Sequence, residues 1–490
     1  MTVDARPALT SGLPAMIAVV LLAAVVLFAP AVLNDGDTYW HLATGAWIWA
    51  HRQVPKVDIF SFSRPGIPWV AHEWLSEALM SAAFRLAGWS GVLILMAAGL
   101  GLAGWLMVRR IAASLSGIAL LLVCVLAISC MAPSLLARPH LLALPVLVAW
   151  TIELLDARRG DRAPRLIFAG LMLLWANLHG SYVFGFLLAG AFGLEALIAA
   201  GRKPWPVIRG WGLFGAASLV ACLISPHGIA GLIYPFQIMT LNFLPNIVEW
   251  APENFARPSG FQLTLFVTLF VGLSRGMRVP PVRLILLLLL VYMALEHKRH
   301  QLVLACVAPL LLAEPLAAAL GQTPTERSPI RRGALAGCAA LLVVMAVVRL
   351  AVPVVRHDDL NTPATALAHV PAELARQPVL NDYGFGGYLI FKGVKPFIDG
   401  RSDMYGEAFS NAYFKATAPD SARLSNLLGQ YNIAWTILRP TDPTVAVMDH
   451  MPGWRRLYAD HYGVVHVRME DGSLIPWNLA STTAGQAGLL

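Results

Sequence analysis

Along the first 350 or so residues, apolar runs alternate with short polar breaks, at the spacing expected of helices that cross a lipid bilayer. Runs near 13–33, 88–108, 112–130, 140–156, 165–178, 182–200, 209–225, 260–275, 282–296, 301–318 and 333–352 read as eleven spans. The stretch 228–241 reads as a re-entrant piece or a further half-span. The first run is long for a cleavable signal and lacks an early small-x-small site, so it too reads as a span. Between the first two spans lies a loop over 34–87, rich in Trp (Trp40, Trp47, Trp49, Trp69, Trp74). Its Tyr39–His51 segment has the pattern of an amphipathic interfacial helix, and Trp69–Ala87 that of a second helix or a hairpin arm. From about Val354 the pattern changes. Pro378–Asn381, Pro396–Asp399 and Ala434–Leu438 read as strands separated by helical stretches, and Arg455–Ala459 with Val464–Arg468 reads as a hairpin turned at His461–Gly463. The expected architecture is a mainly α polytopic transmembrane bundle over 1–353, including the 34–87 loop. An α/β domain over 354–477 and a loose polar end over 478–490 follow it.

Composition agrees with this division. Of 490 residues, 57% are hydrophobic and 13% charged, against about 25% charged in ordinary soluble proteins. These values exclude disorder, coiled coils and disulfide scaffolds. Cys124, Cys130, Cys222, Cys306 and Cys338 lie in apolar runs without C-x-x-C spacing and read as small hydrophobes. The net charge of +8 matters through its placement. Lys and Arg crowd the short loops on one side (Arg109 and Arg110; Arg158, Arg159, Arg162 and Arg165; Arg202, Lys203 and Arg209), and thin out over the longer loops on the other. By the positive-inside rule the amino terminus is cytoplasmic, and an odd span count places the C-terminal domain outside the plasma membrane. The cations are a topology signal, and no nucleic-acid partner is expected.

With orientation set by Lys and Arg alone, the other polar residues are an independent observation. His41, His51, His72, His140, His179, His227, His297 and His300 all fall toward the outer side, which points to a polar outward cavity. Asp35 and Asp37 follow the first span directly. Two carboxylates so close can share a cation or split into base and helper, although Asp37 or Thr38 also suits the N-cap of the next helix. Glu73 opens a helical stretch beside His72, a position that favours acids in any case. Arg138 with His140, His179, His227, Glu249, and Arg299 with His300 occupy the remaining outer loops. Arg suits lipid phosphate there, and Lys298 or Arg299 also suits snorkelling at a helix end. Together these residues suit attack by an acceptor hydroxyl on a phosphate-bearing lipid substrate, with a carboxylate as base and cations on the leaving phosphate. A metal-assisted hydrolase or phosphotransferase acting on lipid-linked substrates, and a non-catalytic cell-envelope assembly or binding protein, are the rival readings. A divalent metal such as Mg or Mn, if used, would fall to Asp35, Asp37 and His41. No H-E-x-x-H motif is present.

The run Asp37-Thr-Tyr-Trp-His after span one, followed by Asp58, resembles the first external loop of GT-C glycosyltransferases, and most nearly that of the oligosaccharyltransferase catalytic subunit. Asn381-Asp382-Tyr383-Gly384, followed by Gly387-Tyr388-Leu389-Ile390 and Ile398-Asp399, is similar to that family's Trp-Trp-Asp-Tyr-Gly region and the Asp downstream of it. The resemblance implies a membrane enzyme that uses a polyprenyl-phosphate-linked sugar on the outer face and inverts at the anomeric carbon. It places Asp37 as base or metal ligand with Asp35 in support, and Asp382 and Tyr383 toward the acceptor. Leu380 and Asn381 stand where the family has two Trp, so peptide-sequon recognition is not implied. Asp399 and Arg401 are further acceptor-side candidates, or else an internal ion pair, together with Asp403. The same pattern (D-x-D-x-x-W-H, H-E-W-L, G-G-Y-L, D-G-R-x-D) also marks a set of bacterial multispan proteins without an assigned reaction.

Overall fold

The structure, a computed structural model, describes residues 12–322, 332–470 and 473–474. The polar end over 478–490, like Arg6, Arg327 and Arg331, lies outside the described residues. The chain divides into two compact units, one up to Val57 together with Pro68–Val355, the other Asp58–Ile67 together with the chain from Arg356.

The first unit is helical throughout: α1 Gly12–Phe28, α2 Asp37–His51, α3 Trp74–Ile111, α4 Gly117–Met131, α5 His140–Arg159, α6 Ala169–Leu178, α7 Val183–Ala200, α8 Trp205–Leu223, α9 Gly228–Ile238, α10 Gly260–Ser274, α11 Pro281–Glu296, α12 Gln301–Ala319 and α13 Arg332–Ala351. Each of the eleven expected segments falls on a helix. Among the described residues six helices are long and apolar enough to cross a membrane, among them Trp74–Ile111, His140–Arg159 and Lys298–Ala319. The amphipathic and apolar patterns become helices because a bilayer leaves no other way to satisfy backbone groups.

Of the two readings of Trp69–Ala87, a second helix or a hairpin arm, the helix forms: it starts at Trp74 and is divided from the expected second span by non-helical backbone at Ala87 and Gly88. Gly88 has φ +56°, a conformation that a side chain resists, and it sets the kink within α3. By contrast, α2 does not lie on a surface along its length. Tyr39, Trp40, His41, Leu42 and Thr44 are buried, and exposure returns only toward its end, at Trp49. Gly45 allows this, since a Cβ there would sit 2.6 Å from Ser81 Cβ and press on the Glu77 carbonyl. The two backbones approach as closely as a missing side chain permits.

At the helix ends that carry the clustered arginines, the cations are largely paired. Glu153, buried, accepts from Arg162 (2.8 Å) and Arg165 (2.6 Å), and Glu195 binds Arg283 at 2.8 Å.

The second unit holds a small mixed sheet in the order β1-β2-β4-β3, with β5 on β4. Its strands are β1 Val379–Asn381, β2 Trp435–Leu438, β3 Trp454–Ala459, β4 Val464–Glu470 and β5 Ser473–Leu474. β1 runs parallel to β2, and the expected hairpin is β3–β4, antiparallel with a bulge between Arg456 and Tyr458. Asp460 closes its turn by accepting from the Tyr462 and Gly463 amides. Trp435, Ile437, Val465 and Val467 pack on Phe385 and Leu389 as the core. Pro396–Asp399 is extended but forms no strand. The buried Asn381 side chain takes the partner's place, accepting from Phe397 N and donating to Ile398 O, both at 2.8 Å.

Candidate functional site

The first unit gathers the polar residues expected to face outward into two adjoining clusters. The first is built around Arg138. Ala137 N donates to Val32 O at 2.8 Å, which pins the α4–α5 connection against the segment between α1 and α2. Arg138 then reaches three acids. Its Nε donates to Asp35 Oδ2 (2.8 Å) and its Nη2 to Asp35 Oδ1 (2.5 Å), a bidentate pair. Nη2 also lies 3.0 Å from Asp37 Oδ2, and Nη1 bonds Glu249. Arg299 approaches the other oxygen of Glu249 at 3.7 Å. Neither Asp37 nor Thr38 caps α2. Asp35 does so from two residues before it, accepting from Thr38 N at 3.1 Å.

The two aspartates divide electrostatically. Burial pushes Asp35 upward, but the Arg138 guanidinium outweighs it and holds the carboxyl below its ordinary range. Asp37, half-buried beside Asp35 and Glu249, is pushed up to about 7 by desolvation and by those two acids, only partly offset by Arg138. One acid is thus a fixed anion, and the other can gain or lose a proton near neutrality.

The second cluster is centred on Glu73, at the start of α3. His179 Nε2 lies 3.2 Å and His72 Nε2 3.5 Å from Glu73 Oε1, and His41 Nε2 lies 3.8 Å from Oε2. Ser181 N donates to His179 Nδ1 at 3.0 Å, so the proton of that ring is on Nε2, facing Glu73. His41 Nδ1 meets buried Glu77 at 3.1 Å, which leaves its Nε2 as the free lone pair. Burial lowers His41 to about 4 despite the acids around it, so it is neutral at neutral pH. Glu73 is held below the ordinary carboxylate range, burial being overcome by His72 and His179. An acid at the centre of three imidazoles does not make a phosphate clamp, so His41, His72 and His179 with Glu73 suit hydroxyl binding or proton handling better.

The other expected residues lie to the side. His140 gives its Nε2 proton to Ser134 O (2.9 Å), and its ring stands 6.1 Å from that of His179. His227 shares a small cavity with His72, Trp74 and Tyr182. His300 packs against Trp250 and Phe184. Glu77 was missed in the sequence, although it lies four residues after Glu73, one helical turn on the same face.

Asp382, Tyr383, Asp399 and Arg401 belong to the second unit. Asp399 and Arg401 are fully buried and turned on each other, with bonds of 2.8 and 2.6 Å, while Arg401 Nη1 donates to Asp58 at 2.6 Å. Tyr405 OH completes the shell on Asp399 at 2.6 Å. This is the internal ion pair, and Asp58 is a further member of it. Asp382 faces Arg439 at 3.4 Å, and Tyr383 packs on Phe414.

Among the described residues no group of three or more His, Cys, Asp or Glu is placed to hold a metal. The reason at Asp35, Asp37 and His41 is visible. Both oxygens of Asp35 are taken by Arg138, whose guanidinium stands where a dication would, and His41 is turned to Glu77 and Glu73. These residues do not fit a metal in this arrangement.

No family model matches the chain, and no curated protein matches it. Among solved structures it is similar to the archaeal oligosaccharyltransferase AglB from Archaeoglobus fulgidus, in complex with an inhibitory peptide and a dolichol-phosphate. The TM-score is 0.54 at 11% identity, covering 87% of this chain and 69% of that one. ArnT from Cupriavidus metallidurans, bound to undecaprenyl phosphate, aligns over 93% of this chain and 98% of its own, with a TM-score of 0.48 at 12% identity. At such identities the likeness is one of fold, shared with the oligosaccharyltransferase AglB.

Proposed function

We propose that this protein is an integral membrane glycosyltransferase that moves a sugar from a polyprenyl-phosphate-linked donor to an extracytoplasmic acceptor: a glycan, lipid or protein. The observation that carries the reading is Asp37. It is a first-loop carboxyl with a proton affinity near neutrality, beside a guanidinium that contacts two further acids. That is the equipment of a general base next to a site for a leaving phosphate. The acceptor hydroxyl attacks the anomeric carbon and gives its proton to Asp37. The bond from that carbon to the phosphate oxygen breaks, and polyprenyl phosphate departs with its charge met by Arg138 and Arg299. One displacement from the face opposite the phosphate inverts the anomeric centre. The imidazoles around Glu73 would take sugar or acceptor hydroxyls, and Asp382 and Tyr383 would serve the acceptor side. Eleven crossings with a cytoplasmic amino terminus would put these groups and the C-terminal unit outside the cell membrane.

The test is turnover by the purified full chain in lipid vesicles, following loss of sugar from undecaprenyl-phosphate-linked hexose or pentose. Asp37→Asn should lower the rate by about 10²–10⁴-fold, the usual worth of a general base. Full turnover by a folded Asp37→Asn chain would refute the assignment.

A further inference from the structure

Glu249 stands where an anionic ligand belongs. Its carboxylate meets Arg138 Nη1 on one side and lies 3.7 Å from Arg299 Nη1 on the other. Arg299 is itself steadied over the Trp250 ring, 4.2 Å from the centroid. Two guanidiniums converging on one pair of oxygens is an arrangement that suits phosphate as well as carboxylate.

The backbone around Glu249 is tied down. Arg299 N donates to Glu249 O (3.0 Å) and Lys298 N to Ala251 O (3.2 Å). His297 donates to Trp250 O at 2.7 Å. The side chain is different, being 27% exposed and held only by the two arginines. It can swing away by rotation about its own bonds. Arg138 stays behind when it does, because Asp35 grips it through two bonds and is itself buried.

We propose that Glu249 is a built-in competitor. Its carboxylate fills the seat between Arg138 and Arg299 that a lipid phosphate takes, as donor diester or product monoester, and it must leave for that phosphate to enter. The proposal rests on the lipid-linked-donor reading and adds its regulation. Asp35, Asp37 and Glu249 already face two guanidiniums, so a phosphate that arrived without displacing Glu249 would meet a site whose cations are balanced. Exchanging one anion for another avoids that repulsion. It also keeps the arginines paired while the site is empty. After transfer, the returning carboxylate contests the seat and speeds release of the product lipid phosphate.

Binding of undecaprenyl phosphate to the full chain in detergent tests this, with undecaprenol as the uncharged control. Glu249→Gln and Glu249→Ala should each bind the phosphate about tenfold more tightly than the native chain, and neither should gain for undecaprenol. Arg299→Ala should bind it more weakly. If both folded Glu249 variants bind no more tightly than a native chain that does bind, the competitor is overturned and the lipid-phosphate reading stands. If no chain binds undecaprenyl phosphate, both fall.

Discussion

Asp35 and Asp37 are two residues apart and differ in what the fold asks of their charge. Asp35 is held ionised by Arg138 against the cost of its burial, so its pairing stabilises the fold above the ordinary carboxylate range and is lost as pH falls through its lowered value. Asp35→Asn should therefore cost about 3 kcal/mol, read as a lower unfolding temperature, because it leaves a buried guanidinium short of its partner. Asp37 has the opposite sign. With its proton affinity raised to about 7, the fold favours its neutral form, and ionisation costs stability as pH rises toward that value. Asp37→Asn should keep or raise the unfolding temperature while abolishing transfer. The native rate should rise with pH through about 7 as the base deprotonates, and that limb should be missing from any residual activity of Asp37→Asn. Unequal behaviour of this pair could be suspected from their spacing, but which acid took which part could not. That depends on Arg138, a hundred residues away in the chain, coming down on Asp35 with two bonds and on Asp37 with one contact.

At the scale of elements, apolar runs of spanning length were readable because a bilayer penalises every alternative to helix. The pieces between spans were harder. The end of the Trp69–Ala87 piece was readable, since the backbone leaves the helical region at Ala87 and Gly88, but whether it was helix or hairpin arm was not, and with it the one-turn relation of Glu77 to Glu73. Likewise Pro396–Asp399 has the residues of a strand, but it is held by the Asn381 side chain and by Phe62 N and Ser63 Oγ, which no alternation pattern reveals. The α2–α3 contact through Gly45 gives a direct test. Gly45→Ala must push the two helices apart, costing about 1–3 kcal/mol in stability. It should also separate His41 from Glu77, seen as a shift in the pH dependence of His41 modification by an imidazole reagent. An unchanged unfolding temperature would show that the helices are not so closely apposed.

For the whole molecule, the expectation of one membrane bundle followed by one tail domain needs an amendment that no local pattern carried. Residues 58–67 group with the C-terminal unit, and Asp58 supplies a third ionic partner to a salt bridge whose other members come some 340 residues later. That interval has a consequence for biosynthesis. A ribosome releases the short strap long before the unit that needs it exists, so the strap waits through the making of every intervening helix. The C-terminal unit, expressed by itself from residue 354, would have Arg401 buried with one carboxylate instead of two. It should therefore be poorly folded by circular dichroism and protease resistance, and a synthetic peptide spanning residues 55–70 should rescue it, while the same peptide carrying Asp58→Ala should not. In effect the protein is a split-domain pair written in one reading frame, its smaller half delivered first.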